Sequence, residues 1–126
     1  MPPTEIDPRK IRGELKSYCE PRLPRSLFEV AVSAVPFVAL WFAMWVVLTT
    51  VGYGPMLLLA LPAAGFLVRL FLIQHDCGHG SVFRGQRANN WLGRVLSVVT
   101  LTPYDHWRRT HALHHAGSGN LDRRGI

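Results

Sequence analysis

The sequence predicts an all-α membrane protein, in which a transmembrane helical hairpin is followed by interfacial and cytoplasmic helices. Three observations predict it. Residues 30–54 carry no charged side chain, and residues 56–73 carry only Arg69. A short uncharged Gly52-Tyr-Gly-Pro55 stretch reads as the tight turn between these two apolar runs. All six histidines fall after residue 74, in polar sequence. A chain of 126 residues has room for one domain at most, and its 48% hydrophobic fraction is concentrated in the middle rather than spread as in a soluble globular domain.

Residues 1–26 read as a cytoplasmic or interfacial tail. Asp7 can cap a short helix there and Pro8 can occupy its first turn, where a missing N–H does no harm. Ile11, Leu15, Tyr18 and Cys19 then share one face, as in a helix lying in the membrane interface. Pro21 and Pro24 are expected to end it.

Residues 27–74 read as the hairpin, with helices at about 30–54 and 56–73. Crossing the hydrocarbon core takes roughly 20 apolar residues, which the first run exceeds. Because it is apolar all round, it does not resemble the surface helix of a soluble protein. Arg69, near the end of the second helix, can extend its head towards the lipid headgroups. Six Lys and Arg residues precede the first run, none lies in the turn, and eight lie at or beyond the end of the second. By the positive-inside rule both termini are cytoplasmic.

Residues 75–126 read as a cytoplasmic region. An arginine-rich stretch at 80–90 precedes a shorter apolar segment at 91–103. That segment carries Arg94 and is too short to span, so it is expected to be an interfacial helix with Trp91, Leu92, Val95, Leu96 and Val99 facing lipid or protein. The formal charge of +6 comes with no nucleic-acid-binding signature, and basic residues flanking apolar segments suit anionic headgroups instead. Two cysteines, Cys19 and Cys77, do not make a disulfide framework.

Five histidines form two clusters, His75-Asp-Cys-Gly-His79 and His111-Ala-Leu-His114-His115. On a helix, positions three and four apart are neighbours, so His75 and His79 share a face, and His111 can share one with His114 and His115. Such imidazoles can converge on a metal, although spacing alone does not choose among zinc, copper, iron and nickel. Cys77 points to the other side of its helix. Asp76 and Asp105 are placed to accept the second N–H of a ligating histidine. His106 reads as a polar interfacial residue or as a further support of this kind.

These residues resemble a family. His75-Asp-Cys-Gly-His79-Gly-Ser is similar to the first histidine box of membrane fatty acid desaturases, and His111-Ala-Leu-His114-His115 to the second. Trp107-Arg-Arg-Thr and Asn89-Asn90-Trp91-Leu-Gly resemble the acyl-lipid, Δ12-type branch. The resemblance implies that His75, His79, His111, His114 and His115 are ligands in a site of two iron ions. It implies about eight histidines in three boxes, O₂ as oxidant, and electrons from ferredoxin or cytochrome b5. It also implies an acyl-lipid or other fatty acyl substrate, from which two hydrogens are removed to leave a double bond. Gly78 and Gly80 would permit close helix packing around the iron site. Arg84, Arg87, Arg108 and Arg109 could receive an acidic electron donor or contact lipid phosphates.

A third His-x-x-His-His box and a second hairpin do not occur within these 126 residues, so the chain alone is expected to be truncated and inactive. Two rival readings share the histidine logic. One is a related di-iron hydroxylase or carotenoid ketolase, and the other a non-catalytic membrane protein that binds a metal.

Overall fold

The computed structural model describes residues 20–118 together with Ile11, Gly13 and Leu15. Among these, four helices and no strand occur: α1 Leu23–Thr50, α2 Tyr53–His79, α3 Gln86–Thr100 and α4 Tyr104–Ala116. Ile11 and Leu15 are helical and exposed, while Asp7, Pro8, Tyr18 and Cys19 of the expected tail helix lie outside the described residues.

α1 begins seven residues before the uncharged run. Pro24 sits in the first turn of α1, where helical N–H groups have no partner to lose; the end of the expected tail helix lies outside the described residues. The connection to α2 is only Val51 and Gly52. Gly52 has φ +130°, a conformation open to glycine and costly for other residues, and it lets the chain reverse at once. Pro55 then falls in the first turn of α2 rather than in the loop.

α1 and α2 pack as an antiparallel hairpin, and both are long and apolar enough to cross a membrane. Their outer faces are apolar and bare: Phe28, Val35, Val38, Trp41, Phe42, Trp45 and Leu61 are each more than half exposed. The seam between them holds Phe37, Ala63 and Leu70, with the polar Ser33 fully buried. Ser33 Oγ donates to the Glu29 carbonyl (2.8 Å) and accepts from Arg69 Nε (3.2 Å). Arg69 also pairs with Glu29 at 3.2 Å. Arg69 therefore turns across the hairpin to a carboxylate, rather than simply reaching out to headgroups.

α2 ends at Gly80, whose φ of +72° makes a left-handed cap with its N–H on the Asp76 and Cys77 carbonyls. The short connection to α3 is braced by Asn89, 1% exposed. Its Oδ1 accepts from the Phe83 N–H (3.0 Å), and its Nδ2 donates to the Phe83 carbonyl (2.7 Å). α3 starts at Gln86, earlier than the apolar segment alone suggests, and lies along the last turns of α2. Leu92 and Leu96 are buried there, while Trp91, Val95, Val98 and Val99 stay exposed. Gly93 is required by contact, because any Cβ at that position would overlap the ring of Tyr104.

Gln74 is wholly buried, donating to the Thr102 carbonyl (3.1 Å) and accepting from Thr100 Oγ1 (2.6 Å). It fixes the α3–α4 connection to α2. No buried side-chain polar atom lacks a partner among the described residues. The fold thus delivers two things to one place: the C-terminal end of α2 and the whole of α4.

Candidate metal centre

His75 and His79 occupy adjacent turns at the end of α2, and His111 and His115 occupy adjacent turns of α4. One ligand nitrogen from each of the four lies within 4.8 Å of the others. The Nε2 atoms form a chain, with His75 to His79 at 3.3 Å, His79 to His111 at 3.2 Å and His111 to His115 at 3.0 Å. A neutral imidazole carries one N–H, so four converging ring nitrogens cannot all be matched as donor and acceptor. Lone pairs facing one another at this distance are relieved by a cation between them.

The tautomer of His75 is set from outside the cluster. Its Nδ1–H donates to Asp76 Oδ1 at 3.1 Å, which leaves the Nε2 lone pair directed inwards. Burial, the largest single cause, and the surrounding histidines push His111 below its ordinary value, so His111 keeps a free lone pair at neutral pH. The donor set is all imidazole, which fits iron, zinc, copper or nickel.

His114 stands apart from this group. Its ring lies 6.2 Å from that of His111 and 6.0 Å from that of His115, on the exposed side of α4. The i+3 step from His111 turns it away, whereas the i+4 step to His115 brings that ring back over its neighbour. Cys77, fully buried beneath Tyr104, faces away from the four histidines.

The other residues singled out by sequence separate clearly. Asp105 does not support a histidine: it pairs with Arg94 (2.9 and 3.1 Å), which holds its carboxyl below the usual range. His106 is exposed and takes no part in the cluster. Arg84 pairs with Glu20 at 3.4 Å, and Arg87 is exposed. Arg109 is exposed on an open groove of about 730 Å³ that runs past His79, His111 and His115. Arg108 instead turns inwards to the Gly78 carbonyl and Asn90.

Trp107 is a site residue that the sequence reading used only as part of a motif. Its indole stacks on His111 and also approaches His75, with centroids 5.5 Å apart. The signal was present in its position, one helical turn before His111 on the same face.

Paired histidines at the end of an apolar hairpin are a specific arrangement, and comparison with known proteins identifies the family of the chain that carries them. Residues 53–124 match the family model described as fatty acid desaturase. The chain belongs to the fatty acid desaturase family. It is 40% identical over 117 residues to a fatty acid desaturase of Bacillus subtilis, covering 93% of this chain and 33% of that protein. It is 47% identical over 53 residues to a ferredoxin-type sn-1 acyl-lipid omega-3 desaturase of Synechocystis, covering 42% of this chain and 15% of that one. An endoplasmic reticulum omega-3 fatty acid desaturase of Nicotiana tabacum is 33% identical over 113 residues, or 90% of this chain and 29% of the relative. This desaturase chain therefore spans about a third or less of the length of the relatives it matches. No solved structure matches it.

Proposed function

We propose that this chain provides the first part of an O₂-dependent desaturase that places a double bond in a fatty acyl chain, with iron as its metal. The observation that carries the reading is the convergence of His75, His79, His111 and His115 within 4.8 Å at the end of an apolar hairpin. Those four residues would hold one ion. His114, on the outer side of α4, would serve a second ion together with histidines elsewhere in the full-length protein.

Iron held there supplies the O₂ chemistry that removes hydrogen from an unactivated methylene. The chain's own residues hold and orient the ligands. Asp76 holds the His75 proton on Nδ1, and Trp107 fixes the plane of His111. The bare outer faces of α1 and α2 suit a lipid environment from which an acyl-lipid substrate arrives. Both ends of the hairpin lie on the cytoplasmic side in this reading, where ferredoxin or cytochrome b5 could deliver electrons. Arg84, Arg87 and Arg109 lie exposed for such a donor or for lipid phosphates.

The test is expression of the full-length protein in a host lacking polyunsaturated lipid, with iron analysis of the purified protein and mass spectrometry of the lipids. New double bonds that vanish in His75→Ala, with iron in the wild type, support the proposal. A hydroxy or keto product would move it to a sister chemistry, and zinc with no lipid product would make it a binding protein.

A further inference from the structure

Tyr104, Arg108, His111 and His115 fall at i, i+4, i+7 and i+11 along α4, so one stripe of that helix carries two donors at one end and two imidazoles at the other. The donors meet last-turn carbonyls of α2, which have no helical N–H four residues on. The Tyr104 hydroxyl lies 3.0 Å from the Cys77 carbonyl oxygen and 3.1 Å from Asn90 Oδ1. Arg108 donates from Nε to the Gly78 carbonyl at 3.3 Å and from Nη1 to Asn90 Oδ1 at 3.3 Å. Gly78 lies between His75 and His79 in the chain, and Asn90 belongs to α3. A guanidinium beside a cation site opposes metal binding by simple Coulomb repulsion. Its presence there calls for a structural reason.

We propose that Arg108 is the positioning residue of the metal centre: by tying the Gly78 carbonyl to α4 and to Asn90 of α3, it sets the spacing between the His75–His79 pair and the His111–His115 pair. A planar guanidinium reaches two acceptors on two elements at once, in fixed directions; an ammonium does not hold that geometry. The inference rests on the four histidines binding a metal, and goes beyond that reading by naming what holds the two pairs in register.

The test uses the full-length protein titrated with cobalt(II), whose visible absorption reports ligand number and geometry. Arg108→Met, Arg108→Lys and Arg109→Met are compared with the wild type, with circular dichroism to confirm helix content. Arg108→Met is expected to bind cobalt about tenfold more weakly or worse, with a shifted absorption band. Arg108→Lys should recover part of the affinity. Arg109→Met, which removes the same charge from an exposed position, should bind cobalt as tightly as the wild type or more tightly.

Cobalt affinity and spectrum unchanged or improved in Arg108→Met would mean that the guanidinium acts only as a charge, and would overturn the proposal. Equal weakening in Arg109→Met would overturn it too. Should Arg108→Met fail to fold, Arg108→Lys decides: wild-type affinity and spectrum refute the role, and weaker binding with a shifted band upholds it. A wild type that takes up no cobalt refutes the metal reading itself, whereas a wild type that binds, with variants that match it, refutes only the positioning role.

Discussion

The indole of Trp107 lies nearly parallel to the imidazole of His111, with 4.5 Å between ring centroids and 17° between planes. Phe71 meets the same indole edge-on at 5.7 Å, so the stack is held from α2. A ligand ring fixed in this way has little orientational freedom left to lose when a metal binds. The arrangement depends on the absence of a side chain at residue 78, where a Cβ would stand 2.9 Å from Trp107 Cζ3.

Gly78→Ala should therefore displace the indole and weaken the centre. In full-length protein we expect iron content per chain to fall while helix content holds. An alanine variant with wild-type iron would show that the stack is incidental.

Gly93 offers a test of packing alone. A methyl at residue 93 would overlap the Tyr104 ring, which is 2% exposed and has nowhere to go. Gly93→Ala should cost about 1–3 kcal/mol of stability in denaturant unfolding. Gly65→Ala, in the interior of α2 with nothing within 4 Å of its Cβ, should be neutral or gain up to about 1 kcal/mol. Equal effects at the two positions would contradict the close approach of α4 to α3.

His114 and His111 should separate in metal analysis. His111→Ala removes a nitrogen from the four-histidine group, whereas His114→Ala leaves that group intact. If two ions are bound as proposed, His114→Ala in the full-length protein should lose about one metal ion per chain and retain the other. Loss of all metal in His114→Ala would place its ring among the four.

Acid should release the metal and also weaken the metal-free fold. His111 is held below its ordinary 6.5 by burial first, then by His75, His115, His79 and His114. The unfolded chain therefore takes up this proton at a higher pH than the folded one. By linkage, the contribution of His111 is intact above about pH 6.5 and is lost as pH falls through its lower folded value. Chemical denaturation of metal-free protein at several pH values measures this, and stability rising as the pH drops below 6.5 would contradict it.

Much of the site was legible because helix periodicity is local. The i, i+4 spacing alone joins His75 to His79 and His111 to His115, and unbroken apolar runs mark the hairpin. The bounds of the runs misled where a helix continues into polar sequence: α1 takes in Pro24 and Glu29, and α3 takes in Gln86 and Asn89. His114 and His115 both count as neighbours of His111 in sequence, at i+3 and i+4, and only the i+4 ring joins the four-histidine group. The roles of Gln74, Asn89, Asn90, Tyr104 and Arg108 could not be read, since their partners are mostly carbonyls distant in sequence or exposed by a helix end. Asp105 sits close to the second cluster in sequence, but Arg94 on the neighbouring helix claims it.

α2 is one continuous helix from Tyr53 to His79, and this gives it the character of a ruler. At 1.5 Å per residue, His75 stands about 33 Å along the axis from Tyr53. The hydrocarbon layer of a bilayer is about 30 Å thick. With Tyr53 at one boundary, the first histidine would emerge at the other, with no loop between them. Under the proposed function, the depth at which an acyl chain would meet the histidines is then set by helix length against bilayer thickness. A one-turn deletion in the apolar part of α2 would draw the centre about 5 Å inwards and also rotate it relative to α1. Thickness of the host membrane, altered through lipid chain length, becomes a variable of this site without any change in its residues.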